Sequence, residues 1–468
     1  MRYVPDIVKR IYDNSPVWTR SYFSTGYSVL KSIKERNELF NKYSKELSES
    51  QWLSLDKLEN LQNERLNKII IHANETVPYY NKLFVDHGII PSQIQSASDV
   101  SKIPFLTKKI IRENFNEMFS KKLSNFRIES TSGTTGTPLS VAINSESSIY
   151  SKALIDRGRK WMGYDFGKEW IAILNGYQIL PLNKVQPPFW IKDFYNKLMH
   201  LSSYHIDDKN IKFYYQALTK QNIKFIQGYP STVASLARLL IKNKLNIQMK
   251  GVWLSSEPIY DWQMNMIKSC FNCKIYSFYG QSEGVATAMS CGESMSMHFN
   301  MESSVSELAP NDYGQNVLIA TSLTNYAMPL IRYQINDLTD YEENECLCGR
   351  KHKLIKPIKT KSEDFLLTPQ GKIISASLLT FPFKNALGIE ESQIVQKSVG
   401  LIELNVIKND FFSNDIENKI VADLKSIIGN DMKIEVKIVN KITRTKNGKF
   451  RFVISELPHE FIKNDLET

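Results

Sequence analysis

Through the first hundred or so residues, apolar side chains recur at helical spacing. Leu55, Leu58, Leu66, Ile69 and Ile70 share one face, as a helix that buries a single stripe requires. Pro78 then opens a short second helix in VPYYNKLF, with its fixed φ suited to the first helical position. In IPFLTKKIIRENF, Thr107 follows an extended pre-proline segment and stands where an N-cap hydroxyl is expected. From residue 168 the period changes. WIAIL (170–174), IKFI (223–226), VWL (252–254), KIYSFY (274–279) and VLIAT (317–321) read as short buried strands. Between them STVASLARLLIKNK (231–244) sets Val233, Leu236, Leu239 and Leu240 on one helical side. This alternation predicts an α/β domain whose site lies at the carboxyl ends of the strands. The polar, lysine-rich residues 349–364 predict a boundary. Beyond them IISASLLTFPF, SQIVQKSVGLIELNVI, IENKIVADLKSIIG and KIEVKIV predict a small α+β domain of about 100 residues.

Length supports this division, because 468 residues exceed what one hydrophobic core serves, and 42% apolar residues supply material for two. The formal charge of +10 comes from 59 Lys and Arg against 49 Asp and Glu. Lysine is abundant throughout, so the excess is a compositional bias and no nucleic-acid partner is expected. No apolar run approaches the roughly 20 residues of a membrane span. The start, MRYVPDIVKRIYDNSPVW, has no uninterrupted apolar core. A cytoplasmic protein without membrane insertion is therefore expected. Five cysteines are too few for a disulfide framework, and their clustering between Cys270 and Cys348 suggests metal or coincidence instead.

The stretch STSGTTGTPLS (130–140) concentrates seven hydroxyl side chains around two glycines and holds no lysine. The missing lysine excludes a P-loop. Gly133 and Gly136 allow backbone amides to converge on an anion, and Ser132, Thr134, Thr135 and Thr137 add hydroxyl donors. The result is a phosphate clamp whose balancing charge must come from elsewhere. TSGTTGTPLSV resembles the phosphate-binding signature of the adenylate-forming enzymes, the superfamily of acyl-CoA synthetases, adenylation domains and luciferases. Three later segments resemble its other signatures in the same order. In SFYGQSEG, Tyr279, Gly280, Gln281, Ser282 and Glu283 match the aromatic-Gly-x-Ser/Thr-Glu segment. The resemblance implies that the ring stacks near adenine, the hydroxyl meets the α-phosphate and Glu283 helps hold magnesium, a hard ion suited to carboxylate oxygen. In MPLIRYQINDLTDY, Asp337 matches the aspartate that takes the ribose hydroxyls, and Arg332 is read as a phosphate or aspartate partner or else a surface ion pair. SSEP places Ser256 and Glu257 where relatives present backbone to the adenine edge. TRTKNGKFRFVIS brings Lys449 to the position of the C-terminal signature lysine. That supplies the absent charge, from a separate domain.

HANETVPYYNKLF, IPFLTKK, IQGYPSTVASLA and CLCGR resemble most the phenylacetate-CoA ligase branch, with its CapK-like proteins of capsule and other surface polysaccharides. The implied fold is a large multi-layer N-terminal AMP-binding domain (1–358), a hinge (359–366) and a small mobile α+β lid (367–468). The family's hinge Gly-Arg pair appears here as Thr360-Lys361-Ser362-Glu363-Asp364, in which Lys361 keeps charge but loses the planar fork, and Glu363 or Asp364 is the candidate pivot. The branch also implies a structural zinc held by Cys291, His298, Cys346 and Cys348, a closed tetrahedral set. The C-x2-C pair Cys270 and Cys273 is the competing ligand pair, with Cys273 alternatively a core cysteine, and His352 is read as a solvated neighbour. His200 and His205 are placed in a loop without a role. Tyr177 and Tyr229 either line the acid pocket or pack in the core. The expected reaction is ATP-dependent adenylation of a small carboxylic acid, then acyl transfer to coenzyme A. Acyl transfer to an amine in polysaccharide synthesis and a non-catalytic scaffold are the alternatives.

Overall fold

The computed structural model describes residues 15–130, 139–175, 179–181, 184–311, 314–358, 365–369, 373–375, 379, 381–383, 388–443 and 451–457. They fall into two compact units, one drawn from 1–257, 263–335 and 339–357, the other from 258–262, 336–338 and 358–468. The larger unit ends at Pro357, so the division between the units falls within the lysine-rich stretch 349–364.

The larger unit opens with helices α1 (Val17–Glu35), α2 (Glu38–Ser50), α3 (Leu55–Thr76), α4 (Pro78–Asp86) and α5 (Lys108–Glu113). Leu58, Leu66, Ile69 and Ile70 of α3 are fully buried, as their spacing requires. The Thr107 hydroxyl caps α5 by accepting from the Ile110 amide at 3.3 Å. Strands β1 (Phe126–Ser130) and β2 (Ser140–Asn144) form an antiparallel pair, and α6 (Ser145–Trp161) follows.

The centre is a ten-stranded sheet. Its strands are β3 (Ile171–Leu174), β4 (Trp190–Asp193), β5 (Leu198–Leu201), β6 (Phe225–Gly228), β7 (Gly251–Ser255), β8 (Lys274–Gly280), β9 (Thr287–Met289), β10 (Met297–Phe299), β14 (Tyr341–Glu342) and β15 (Leu354–Ile355). The order is β14-β15-β10-β9-β8-β7-β6-β3-β5-β4. The run β5-β3-β6-β7-β8 is parallel. Helices α7 (Ile211–Lys220), α8 (Pro230–Lys242) and α9 (Asp261–Phe271) supply its connections. Parallel strands are covered on both faces, which is why Ile171–Leu174 reads as an unbroken apolar run and is buried throughout. Strand order reverses at β3, with β5 on one side and β6 on the other, and such a switch point is where open α/β sheets bind ligands. A second sheet, β11 (Ser304–Pro310), β12 (Asn316–Ser322) and β13 (Tyr333–Leu338), is ordered β11-β12-β13.

The smaller unit has β16 (Phe365–Leu367), β17 (Ile373–Ser375), β18 (Ile389–Ser398), β19 (Leu401–Lys408), α10 (Asn414–Ile428), β20 (Lys433–Ile438) and β21 (Val453–Ser455). Its four-stranded sheet, β20-β19-β18-β21, packs Ile394, Ile402, Leu404 and Val406 against Ile420, Leu424 and Ile428 of α10.

Candidate functional site

The segments singled out in sequence leave the carboxyl ends of adjacent parallel strands. Asn175 follows β3, QGYPS begins in the last two residues of β6, SSEP begins at the last residue of β7 and YGQSEG begins in the last two residues of β8. Backbone geometry holds the first two together: the Tyr229 amide and the Thr232 hydroxyl both donate to the Leu174 carbonyl, at 3.2 and 2.8 Å. A Cβ on Gly228 would collide with that same carbonyl, so the close approach requires glycine. Tyr229 is the buried N-cap residue of α8. Ser256, just beyond β7, takes a left-handed conformation (φ 72°) and is exposed, and Glu257 is half-buried. Such backbone is uncommon for a residue with a side chain and concentrates at functional turns.

At the end of β8, residues 281–284 form a turn closed by the Gly284 amide donating to the Gln281 carbonyl at 3.1 Å. The Gln281 amide group works inside this turn, donating to the Tyr279 hydroxyl and accepting from the Ala286 amide. Gly280 and Ser282 face solvent. The Glu283 carboxylate accepts from the Tyr333 hydroxyl at 3.2 Å. Tyr333 and Asp337 are four residues apart on β13, and therefore point to the same side of that strand. Asp337 is buried.

Arg332 takes part in an ion pair. Its guanidinium pairs with Glu307 (3.2 Å), donates to the Ser101 and Ile103 carbonyls (2.7 Å each) and lies 4.2 Å over the Phe105 ring. With a parallel bridge between Leu106 and Tyr333, it fastens the IPFL segment along β13. These contacts clamp that strand and match the ion-pair alternative offered for Arg332. The signal was ambiguous in sequence because an arginine five residues before an aspartate says nothing of which carbonyls the fold brings near.

Loop residues Ser132, Gly133, Thr134, Thr135, Gly136 and Thr137 lie outside the described residues, as do Tyr177, Lys361, Glu363, Asp364 and Lys449. His200 lies on β5 and not in a loop, and burial lowers its pKa. His205 is buried in a short 3-10 turn, with Nδ1 against the Ser202 hydroxyl (2.7 Å) and Nε2 against the Pro181 carbonyl (3.1 Å).

The structure brings Cys291, His298, Cys346 and Cys348 together, with one ligating atom from each all within 4.8 Å. Cys291 follows β9, His298 sits in β10, and the two later cysteines lie in the turn between β14 and β15, so sheet pairing converts a distant spacing into one cluster. The Cys291 and Cys346 sulfurs are 3.3 Å apart, and Cys348 Sγ is 3.3 Å from His298 Nε2. A tetrahedron with zinc–sulfur bonds of about 2.3 Å has edges of about 3.8 Å, so the donors fit such an ion. Burial pushes the Cys291 thiol up to about 12 and lowers His298 to about 3, the latter helped by nearby His352, Arg350 and Arg157. A neutral imidazole is the form that ligates. Gly292 (φ 85°) turns the chain after Cys291, where a Cβ would sit 2.7 Å from the Tyr276 ring. Cys270 and Cys273 belong to no group of three or more ligating side chains among the described residues. Both are half-buried, and desolvation raises their thiols to about 12 and about 11.

His352 is buried, not solvated. Its Nε2 meets Glu302 Oε1 at 3.1 Å, and the same oxygen accepts from Arg157 (2.6 Å) and Ser50 (2.7 Å). Arg157 also donates to the Asn300 side chain, and the Trp161 ring packs edge-on against His298. Sequence reading missed this network because isolated charges in MESSVSEL and DRGRKW look like surface residues until the fold buries them.

The larger, N-terminal unit is an α/β fold and the smaller, C-terminal unit an α+β one. The solved structure of 2-hydroxyisobutyryl-CoA ligase in the postadenylation state, in complex with 2-HIB-AMP, superposes with a TM-score of 0.67 at 18% identity, covering 89% of this chain and 94% of that one. Residues 366–456 match the CapK C-terminal domain family. The chain is 26% identical over 458 residues to protein CapK of Staphylococcus aureus, covering 96% of this chain and 99% of its relative. It is 22% identical over 452 residues to a phenylacetate-coenzyme A ligase of Thermus thermophilus, covering 87% and 98%. Over nearly its whole length the chain is thus similar to protein CapK and, at lower identity, to a phenylacetate-coenzyme A ligase.

Proposed function

We propose that this protein activates a small carboxylic acid as its acyl-adenylate and passes the acyl group to the thiol of coenzyme A. The observation that carries the reading is the convergence of QGYPS, SSEP and YGQSEG on the carboxyl ends of adjacent strands, with Glu283 bonded to the strand that bears Asp337. In the first half-reaction a carboxylate oxygen attacks the α-phosphorus of ATP, the bond to the β-phosphate oxygen breaks and pyrophosphate leaves. In the second, sulfur attacks the acyl carbon and AMP leaves with the bonding electrons. Amides and hydroxyls of residues 132–137 hold the β- and γ-phosphates, Tyr279 faces the base, Asp337 accepts from the ribose hydroxyls and Glu283 holds the magnesium that ATP carries. Lys449 offsets the charge of carboxylate and α-phosphate as they meet. Four protein ligands leave a metal no open position, so Cys291, His298, Cys346 and Cys348 are assigned to a structural zinc.

A second reading, transfer to an amine in surface-polysaccharide synthesis, draws on the match of residues 366–456 to the CapK C-terminal domain. The test is carboxylate-dependent exchange of labelled pyrophosphate into ATP across aryl, fatty, amino and uronic acids. Exchange with one acid class, abolished by Lys449→Ala and reduced by Asp337→Asn in folded protein, is expected. Silence across the panel, or exchange that survives Lys449→Ala, refutes adenylation by this site and favours a scaffold. An active acid is then offered coenzyme A or amines, and product analysis separates the two acceptors.

A further inference from the structure

Helix α1 is turned inside out relative to an ordinary surface helix. Its hydroxyl side chains face the protein: Ser21 accepts from the Lys192 amide at 3.0 Å, Thr25 accepts from the Phe194 amide at 3.0 Å, and Ser32 donates to the Asn196 side chain at 3.1 Å. These contacts cover β4, the edge strand of the ten-stranded sheet, whose outward amides would otherwise invite another strand. The apolar stripe is consequently on the outside. Tyr22, Leu30 and Ile33, at helical spacing, are 67%, 72% and 67% exposed, and Phe23 is 42% exposed. Phe194 and Tyr195, in the turn after β4, extend the patch, with the Tyr22 and Phe194 rings 6.1 Å apart. Gly26 is exposed in the same stripe and adds no polar group.

The charge beside this stripe has one sign. Lys31 and Lys34 are exposed, and the helix's one carboxylate, Glu35, is paired with Lys152 at 2.8 Å. Aromatic and aliphatic side chains flanked by lysines are the composition of helices that lie in a bilayer interface. No helix among the described residues is long and apolar enough to cross a membrane.

We infer that the outer face of α1, with the turn carrying Phe194 and Tyr195, docks the protein onto an anionic lipid surface. The inference does not depend on the reaction assigned above. The full chain is sedimented with vesicles of phosphatidylcholine alone or of phosphatidylcholine with phosphatidylglycerol, over a range of salt. Binding to the anionic vesicles that weakens with salt is expected. Leu30→Glu with Ile33→Glu should abolish it, and Lys31→Glu with Lys34→Glu should weaken it by more than about tenfold. All four positions are exposed, so both variants should retain the parent's melting temperature and far-ultraviolet spectrum. Four outcomes overturn the inference. The parent sediments no more with anionic vesicles than without them, or both variants bind as the parent does. A dimer without vesicle affinity, dissociated by Leu30→Glu with Ile33→Glu, assigns the face to a second copy. Binding only after deletion of residues 1–14 assigns it to that segment.

Discussion

Replacing Glu302 by glutamine should be among the most damaging single changes outside the segments proposed to bind nucleotide. Glu302 is 1% exposed, and one carboxylate oxygen receives Ser50 of α2, Arg157 of α6 and His352 of the turn that also carries Cys346 and Cys348. Glutamine keeps the shape but leaves the Arg157 guanidinium buried without a countercharge. Breaking a buried ion pair from one side costs about 3–5 kcal/mol, a large part of the roughly 5–15 kcal/mol that holds a domain folded. The assay is urea unfolding followed by tryptophan fluorescence, because Trp52 and Trp161 both stack on Arg350 beside the cluster. The paired variant Arg157→Met with Glu302→Leu should recover most of the loss, since it removes both charges. Acid adds a second readout. Burial alone would raise the Glu302 carboxyl, but Arg157 and His352 outweigh it and hold the group well below the usual carboxylate range. A depressed folded value stabilises fully above the unfolded value of about 4.3 and fades as pH falls toward the folded one. The advantage of the parent over Glu302→Gln should therefore shrink below about pH 4. A Glu302→Gln loss under about 1 kcal/mol, or a paired variant no better than the sum of the singles, refutes the reasoning.

Arg332→Ala should cost about 1.5–3 kcal/mol through lost charge-assisted bonds, and limited proteolysis should then cut between residues 101 and 106, which Arg332 holds to β13. Elemental analysis of the purified chain should find one zinc per protein, Cys291→Ser or His298→Ala should reduce it, and Cys273→Ser should not. Gly158→Ala places a methyl against Trp253 and 2.5 Å from the Met289 sulfur, so a loss of about 1–3 kcal/mol from overpacking is expected in thermal melts.

Much of this protein was legible in order along the chain. The apolar runs at WIAIL, IKFI, VWL and KIYSFY became β3, β6, β7 and β8, because a strand covered on both faces has no polar period to hide it. The α3 stripe and the Thr107 cap were equally readable, since both are local: a helix face and a hydroxyl three residues from its amide. The motifs at 277–284 and 328–341 were visible as residue types, but their relation was not.

That relation belongs to the tertiary structure. Sheet order sends QGYPS, SSEP and YGQSEG off the same edge, and the Tyr333 hydroxyl of β13 reaches Glu283. The cluster of Cys291 and His298 with Cys346 and Cys348 needs β10 to pair with both β9 and β15. Arg332 was left open, His352 misjudged and Glu302 missed for one reason. A charged side chain looks the same in sequence whether it meets water or a partner, and the choice is made by elements tens to hundreds of residues away. Helix α1 carries the same lesson in reverse, since its amphipathic pattern marks two faces and only its place against the sheet edge decides which one meets solvent.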